Sequence, residues 1–561
     1  MNMKKAVAFL LSISMLAASF TACGGQTTSS VASAPTPESS SAVASSSSVA
    51  ASEPVKEGPF FPLKEKIKVS MAGVRDDAGV PFEDCEAFKK LETETNVDIE
   101  WLDWPQSTQK EKRNLTFAGG TLPDAFYGSW TLDKPDVVKY GSEGMLLTFD
   151  DYLNEKYMPN FTKVLERQKD LRSAISTPDG HVYVLPSMNM EGLSKTNDTL
   201  LINTDWLKKV NKPMPTTIDE LFDVLMAFKQ AGDLNGNGKN DEIPMSFKYQ
   251  DGNTGLFGFM GFTGLPMCNK NSRMVIKDGA PVFHSATPEY REFLTYMNKL
   301  NENGLLDQEV FTMDNAAYNA KTQAPVPTVG VMSAWSAENI NRAIPGNKRT
   351  QDGVYMYVPP LKGKAGVEPK WSLRINAINA NLSFCINAKT KYPEELVRWI
   401  DTFYAPTTSF HNTVGLEGVH LKSEGGNNWS RILKENGKKF STEDMYPLIP
   451  AKFGTHWIFE GDFKFTDNVD SPQNKKAADA VYGPYQVKEY VNDYVMSTPE
   501  ENEKMAFLTA DLFAYVDQMS AKFITKGGIE QGWGEYMDQL KKLGVEDYVK
   551  IKNDIHTRAS K

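Results

Sequence analysis

Cysteine and histidine are scarce in this 561-residue chain, which has four of the first and six of the second. Cys23, Cys85, Cys268 and Cys385 lie far apart, so no disulfide framework is implied, and the last three are expected to be buried thiols. The histidines show no HxxxH or His-x-Glu spacing, which argues against a zinc or other soft-metal catalytic centre; any metal should be oxygen-bound. Basic clusters are missing too. No Lys/Arg run exceeds three residues and the formal net charge is -10, which disfavours nucleic acid as a partner because phosphate binding needs a clustered basic face. Beyond the first twenty residues no apolar stretch approaches 18 residues, so no further segment is expected to cross a membrane, and there is no internal repeat.

What is present is ordinary globular composition, 40% hydrophobic and 24% charged, over enough length for two to four domains' worth of core. Lys4 and Lys5 precede the apolar run Ala6 to Phe20, the length of a signal-peptide core and short for a membrane span, so residues 1–22 are expected to be an export signal. The run ends in "SFTACGG", which resembles a bacterial lipobox; Cys23 would then be lipidated and become the first mature residue. Phe20 stands where such boxes usually carry leucine, and a cut elsewhere with an incidental cysteine is the alternative. Residues 24–57 are almost entirely Ser, Ala, Thr, Pro and Val, which cannot build a core; with Cys23 they form a lipid-anchored tether, 23–57, spanning on the order of 30 Å as a random coil.

From Pro59 onward short β-like runs alternate with helical ones, the signature of an α/β fold. "KIKVSMAG" (66–73) reads as a buried first strand, "PFEDCEAFKKLETETN" as a helix with Phe82, Cys85, Phe88 and Leu91 at helical spacing, and "VDIEWLDW" (97–104) as the next strand. "PDGHVYVLP" (178–186) reads as a turn and a strand ending at proline. In "PTTIDELFDVLMAFKQAG" (215–232), Thr217 and Glu220 have capping-box spacing, and Ile218, Leu221, Phe222, Leu225 and Phe228 form one apolar face. The C-terminal part is rich in helix patterns, with Gly544 splitting the last two.

The phrases "AGGTLPDAFYG", "PDGHVYVLP", "LINTDWLKKVNKPMPTTIDELFDVLMAFKQAGDLNGNGKNDEIP", "TVGVMSAW", "GLEGVH" and "WGEYMDQLKKLGVEDYVKI" resemble the lipoprotein solute-binding proteins of sugar ABC importers in Gram-positive bacteria. Within extracellular solute-binding family 1 they are similar to the alginate-oligosaccharide binders and, more distantly, to maltose-binding protein. The resemblance spans about residues 60 to 555. It implies a two-lobed, type II periplasmic-binding-protein-like α/β fold with hinge-crossing strands and a helix-rich C-terminal part. The first lobe would comprise 58–202 and 376–440, and the second 203–375 and 441–561. A non-enzymatic, monomeric receptor is expected, held by its lipid on the outer face of the cytoplasmic membrane. It would close on an oligosaccharide and deliver it to ABC permease subunits.

Two sets of residues carry the candidate chemistry. In "DLNGNGKNDE" (233–242), Asp233, Asn235 and Asn237 occupy positions 1, 3 and 5 of an EF-hand-like loop, Gly238 supplies the turn, and Lys239 can offer its carbonyl. Pro244 takes the place of the bidentate glutamate at position 12, so closure would fall to Asp241 and Glu242, and the resemblance implies such a shortened calcium loop with a structural role. A solvated Asn-Gly turn is the alternative, and Mg²⁺, which prefers six tight ligands, is disfavoured. Sugar binding asks for flat aromatic platforms beside hydrogen-bonding side chains. Trp335 matches a strand-end tryptophan that stacks on sugar in maltose-binding relatives. Trp104, Trp130, Trp371 with Arg374, Glu417 between glycines, and Trp457 beside Glu460 and Asp462 are the other candidates, whereas Trp206 and Trp399 lie in helical patterns that suggest core. A secreted calcium-dependent glycosidase or lyase, and a peptide or small-anion binder of the same fold, are the competing functions.

Overall fold

The computed structural model describes residues 60–559 apart from the short stretches 190–194, 197, 250–254, 257, 267–271, 345–352, 374–380, 436–439, 467–474 and 492–494. Cys23, the tether, Cys268 and Arg374 lie outside the described residues.

Two separate sheets organise the rest. The first has six strands in the order β14-β4-β11-β3-β1-β2, formed by β1 (Ile67–Arg75), β2 (Val97–Pro105), β3 (Ala125–Tyr127), β4 (Leu185–Asn189), β11 (Asn381–Ile386) and β14 (Trp457–Ile458). The β-α-β unit expected near the start is present: β1 pairs in parallel with β2, and the helix Glu86–Thr95 connects them. β1 is buried along most of its length because helices cover both faces of this sheet, which suits its apolar run. β4 starts at Leu185, later than "PDGHVYVLP" suggests; Pro186 lies inside it, and Tyr404 donates its hydroxyl to the Pro186 carbonyl.

The second sheet has the order β10-β5-β9-β6, with β5 (Thr199–Asn203), β6 (Ile243–Ser246), β9 (Val329–Ala334) and β10 (Tyr355–Tyr357). A hairpin of β7 (Met274–Lys277) and β8 (Ala280–Phe283) packs beside the closing helices Pro499–Lys526, Ile529–Lys542 and Val545–Ala559. The capping box at Thr217 and Glu220 forms as expected and opens the helix Ile218–Ala231, whose Leu221, Val224, Leu225 and Phe228 enter this core. A third, small sheet joins β12 (Leu421–Ser423), β13 (Asn428–Arg431) and β15 (Lys464–Phe465).

The second lobe does not resume at 441 as the sequence suggests. β14 pairs with β4 of the first sheet, and Tyr446, Ile449 and Phe453 join the same apolar cluster as Val74 and Phe126, so residues 441–466 belong to the first lobe. The chain re-enters the second lobe with the helix Lys475–Tyr482, whose Ala478 and Tyr482 pack in its core. Met496 is a further departure. It is buried among first-lobe residues Leu132, Val137 and Tyr140, and the 28-residue helix that follows carries Leu512, Val516 and Phe523 back into the second core.

Cys85 and Cys385 are buried free thiols, as expected, and Trp206 and Trp399 are core residues. Three histidines are buried, and for two of them, His284 in the second lobe and His456 in the first, burial has its largest effect. Burial lowers His284 to about 3 and His456 to about 4, although each ring nitrogen Nδ1 lies 2.7 Å from a backbone carbonyl. Both stay neutral in the fold while their unfolded counterparts take up a proton near 6.5, so the unfolded chain binds more protons below that pH. Stability is therefore expected to be fully present above pH 6.5 and to fall as the pH drops toward 4, at about 1.4 kcal/mol per pH unit for each histidine. Thermal melts of His456→Gln against the parent between pH 7 and 4.5 would show a shallower slope in the variant.

Candidate functional site

The chain passes from one large sheet to the other between Asn189 and Thr199, between Leu373 and Asn381, and between Thr466 and Lys475, in addition to the excursion that brings Met496 to the first lobe. The first crossing leaves the C-terminal end of β4 and enters the N-terminal end of β5. The edges bordering the inter-lobe space are thus the C-terminal ends of the mutually parallel β1, β3 and β4 in one lobe and of β6 and β9 in the other. Open α/β sheets bind ligands at such edges.

Trp130 sits on the first of them, three residues beyond β3. It has φ 68 and is 42% exposed, a combination that costs energy twice, since a bulky residue resists the left-handed region and a bare indole prefers burial. The surrounding loop enforces it. Gly128 (φ 95) donates its N–H to Ser383 at 2.7 Å, Ser129 donates to Phe453 at 3.0 Å, and Asp133 then caps the helix Lys134–Ser142. A side chain at Gly128 would press on the carbonyls of Val74 and Phe453. Phe453 supports the indole from beneath, edge to face, with ring centres 5.4 Å apart. Trp335 directly follows β9 on the opposite edge and is half-buried, with Ser336 capping the short helix behind it.

The remaining tryptophan candidates lie elsewhere. Trp104 is 4% exposed and packs against Phe126 in the core, because three residues of strand carry it to the face opposite Trp101. Trp457 is 2% exposed in β14 beneath the sheet's helical layer. Trp371 is 2% exposed and stacked on Tyr482 with centres 4.2 Å apart, its indole N–H given to the Asp198 carbonyl at 3.0 Å; it belongs to the crossings. Glu417 is exposed on the turn after the helix Pro406–Val414, where its charge reaches His411. Glu460 is exposed, and Asp462 forms a two-bond pair with Arg167, so neither extends the Trp457 cluster toward the strand ends.

The Asp233 loop closes on itself directly after the helix Ile218–Ala231. The Asp233 carboxylate accepts from the backbone N–H groups of Gly236, Asn237 and Gly238 at 2.7 to 2.9 Å, and the two glycines carry the required positive φ. Asn235 Oδ1 accepts from Asn237 N, and Asn237 Oδ1 from Lys239 N, while both amide NH₂ groups turn to Asp241 at 2.9 to 3.1 Å. Those amides hold the Asp241 carboxyl below its usual range, Asn235 contributing most. Glu242 accepts from the N–H of Asn235 at 3.0 Å. Among the described residues no three carboxylate, histidine or cysteine side chains converge closely enough to hold a metal by themselves. An ion here would draw on the amide and carbonyl oxygens as well, and the all-oxygen donor set fits a hard cation such as Ca²⁺.

Residues 76–408 match the family described as bacterial extracellular solute-binding protein. The fructooligosaccharide ABC transporter substrate-binding protein FusA of Streptococcus pneumoniae is 32% identical over 519 residues, 88% of this chain and 91% of FusA. The chain belongs to the bacterial extracellular solute-binding protein family. It is therefore a binding protein, not an enzyme, and its two sheets are the two lobes of that fold. Solved structures of FusA with kestose and of a FusA EF-hand mutant with fructo-nystose both align with a TM-score of 0.75, at 28% and 27% identity, over 88% of this solute-binding protein and 99% of FusA. Lipoprotein LipO of Bacillus subtilis is 28% identical over 295 residues, 51% of this chain and 54% of LipO. Alginate-binding protein AlgQ2, solved without calcium ion, shares the fold at 20% identity and a TM-score of 0.66, over 88% of this chain and 98% of AlgQ2.

Sequence reasoning missed Phe453, which supports Trp130, and Asp198, Asp479 and Tyr482, which fasten the crossings. No local signal marks them, because each meets partners far away in the chain.

Proposed function

We propose that this solute-binding protein captures a fructooligosaccharide between its lobes, with Trp130 and Trp335 as the facing aromatic platforms, and hands it to an ABC permease. The observation that carries this reading is Trp130, a strained and exposed indole held at the strand ends where sugar rings would stack. FusA, similar along almost its whole length, supports the choice of sugar. Trp104, Trp371 and Trp457 act by packing, and Arg374, outside the described residues, is a candidate hydrogen-bonder to the ligand. Cys23 carries the lipid that holds the monomer on the outer face of the membrane, a role supported by the "SFTACGG" phrase and the likeness to LipO. Ca²⁺ in the 233–242 loop, held by Asp233, Asn235, Asn237, Lys239 through its carbonyl, Asp241 and Glu242, fixes the end of the helix Ile218–Ala231.

Titration calorimetry with kestose is expected to give saturable binding with a Kd of about 1 μM or tighter, the sugar being recovered intact after overnight incubation. Silence toward kestose and longer fructans alike would reject the sugar class, and released fructose would reject the role of pure receptor.

A further inference from the structure

The residues that flank the three sheet-to-sheet crossings, with the described part of the first, converge on one partly buried network in the second lobe. The Asp479 carboxylate accepts from the N–H of Lys195 at 3.2 Å, and from the N–H and hydroxyl of Thr196 at 3.0 and 2.8 Å. Gln486 closes the same contact from the other side, its amide donating to the Lys195 carbonyl at 2.9 Å. Two residues on, Asp198, 1% exposed, accepts from the hydroxyl of Ser372, just ahead of the second crossing, at 2.7 Å and from the N–H of Gly258 at 2.8 Å. Trp371 exchanges backbone hydrogen bonds with Tyr485 and Val487, and its ring seats so closely on Gly258 that an added Cβ would lie 2.3 Å from it. The helix Lys475–Tyr482, which follows the third crossing, supplies Tyr482, whose hydroxyl bonds both the N–H and the carbonyl of Leu200.

From this we infer that Asp479 and Asp198 are positioning residues for capture: they fasten the crossings to the second lobe and so set the angle at which the two lobes meet, without touching ligand. The inference rests on the chain being a two-lobed solute binder. Its physical basis is a population argument. A ligand that must touch both lobes binds only the arrangements that present both surfaces, and its apparent affinity falls with the fraction of molecules so arranged. Three charge-assisted hydrogen bonds to one carboxylate are strong enough to hold the first crossing in a single register. Asp479 is the better test position because it is half-buried, whereas Asp198 lies deep in the core.

The full chain is compared with its Asp479→Ala, Asp479→Asn and Gln486→Ala variants by small-angle scattering without sugar, calorimetry with kestose, and thermal melting. Asp479→Ala is expected to shift the scattering curve of the free protein and to weaken kestose by about tenfold, with Tm changed by no more than about 2 °C. Asparagine keeps an acceptor for Thr196 but turns an NH₂ toward Lys195, so Asp479→Asn should fall between. Gln486→Ala should move both readouts in the same direction and serves if Asp479→Ala does not fold. If no protein binds kestose while the free-state scattering still shifts, the sugar class falls and the positioning role stands. Unchanged scattering with unchanged kestose affinity, whether or not Tm drops, reduces the network to ordinary packing and overturns the inference.

Discussion

Replacing Trp130 with glycine is expected to weaken sugar capture by about 10- to 100-fold while leaving the fold within about 1 kcal/mol of its starting stability. The two effects separate because the residue is built for the ligand at the expense of its own backbone. Glycine relieves the left-handed conformation at φ 68, a gain of about 1 kcal/mol, and loses the edge-to-face contact with Phe453, a loss of about the same size. Trp130→Ala loses the ring and keeps the strain. At this position glycine should therefore be more stable than alanine by about 1 kcal/mol, the reverse of their order in a helix. Thermal melts of both variants beside kestose titrations read out each half. Intact affinity in both would remove Trp130 from the ligand surface, and an alanine variant as stable as the glycine one would remove the strain argument.

The aromatic positions show how far sequence reasoning reaches in this fold. Strand ends are legible from apolar runs and turn residues, which is why Trp104, Trp130 and Trp335 stand out. Which way each indole points depends on register and cover, and these are tertiary. Trp104 pairs with Val74 on an edge strand whose alternate face holds Trp101, and the helices on both sides bury it. Trp130 escapes cover because its loop turns left-handed between Gly128 and Asp133, and nothing in "YGSWTLD" announces a positive φ at a tryptophan. The phrase around Trp371 suggests a lobe return, but whether the ring faces ligand or hinge is decided by Gly258 and Tyr482, both over a hundred residues away. The boundary at 441 failed for a simpler reason. β14 has two residues, too few for any periodicity, yet its pairing with β4 is what assigns 441–466 to the first lobe.

The Asp233 loop stands out in the sequence because its oxygen-bearing side chains are adjacent, and the calcium proposed for it supports the second large prediction. Removing calcium with a chelator is expected to lower Tm, and the loss is set by mass action: about 4 kcal/mol at an ion concentration a thousand times Kd, about 2.7 at a hundred times. The sign follows from the loop's electrostatics. Asp233, Asp241 and Glu242 bring three carboxylates into ten residues, and without an ion their charge is met by N–H groups and the single cation of Lys239. The Asn235 and Asn237 amides present nitrogen to Asp241; rotation about their terminal torsions would present oxygen to an ion instead. Asp233→Ala removes the acceptor of three backbone N–H groups as well as a ligand, so it should melt lower than the chelated parent and lose its response to added calcium. Asp233→Asn separates the two roles. It retains an acceptor for the loop while weakening the ion, so it should melt close to the chelated parent and respond to calcium only at higher concentration. Kestose affinity serves as the control: the loop ends the helix Ile218–Ala231 and lies away from Trp130 and Trp335 in the chain, so chelation at temperatures well below Tm should leave it nearly unchanged. A parent whose Tm ignores both chelator and calcium would return "DLNGNGKNDE" to a solvated turn that happens to resemble half of an EF-hand.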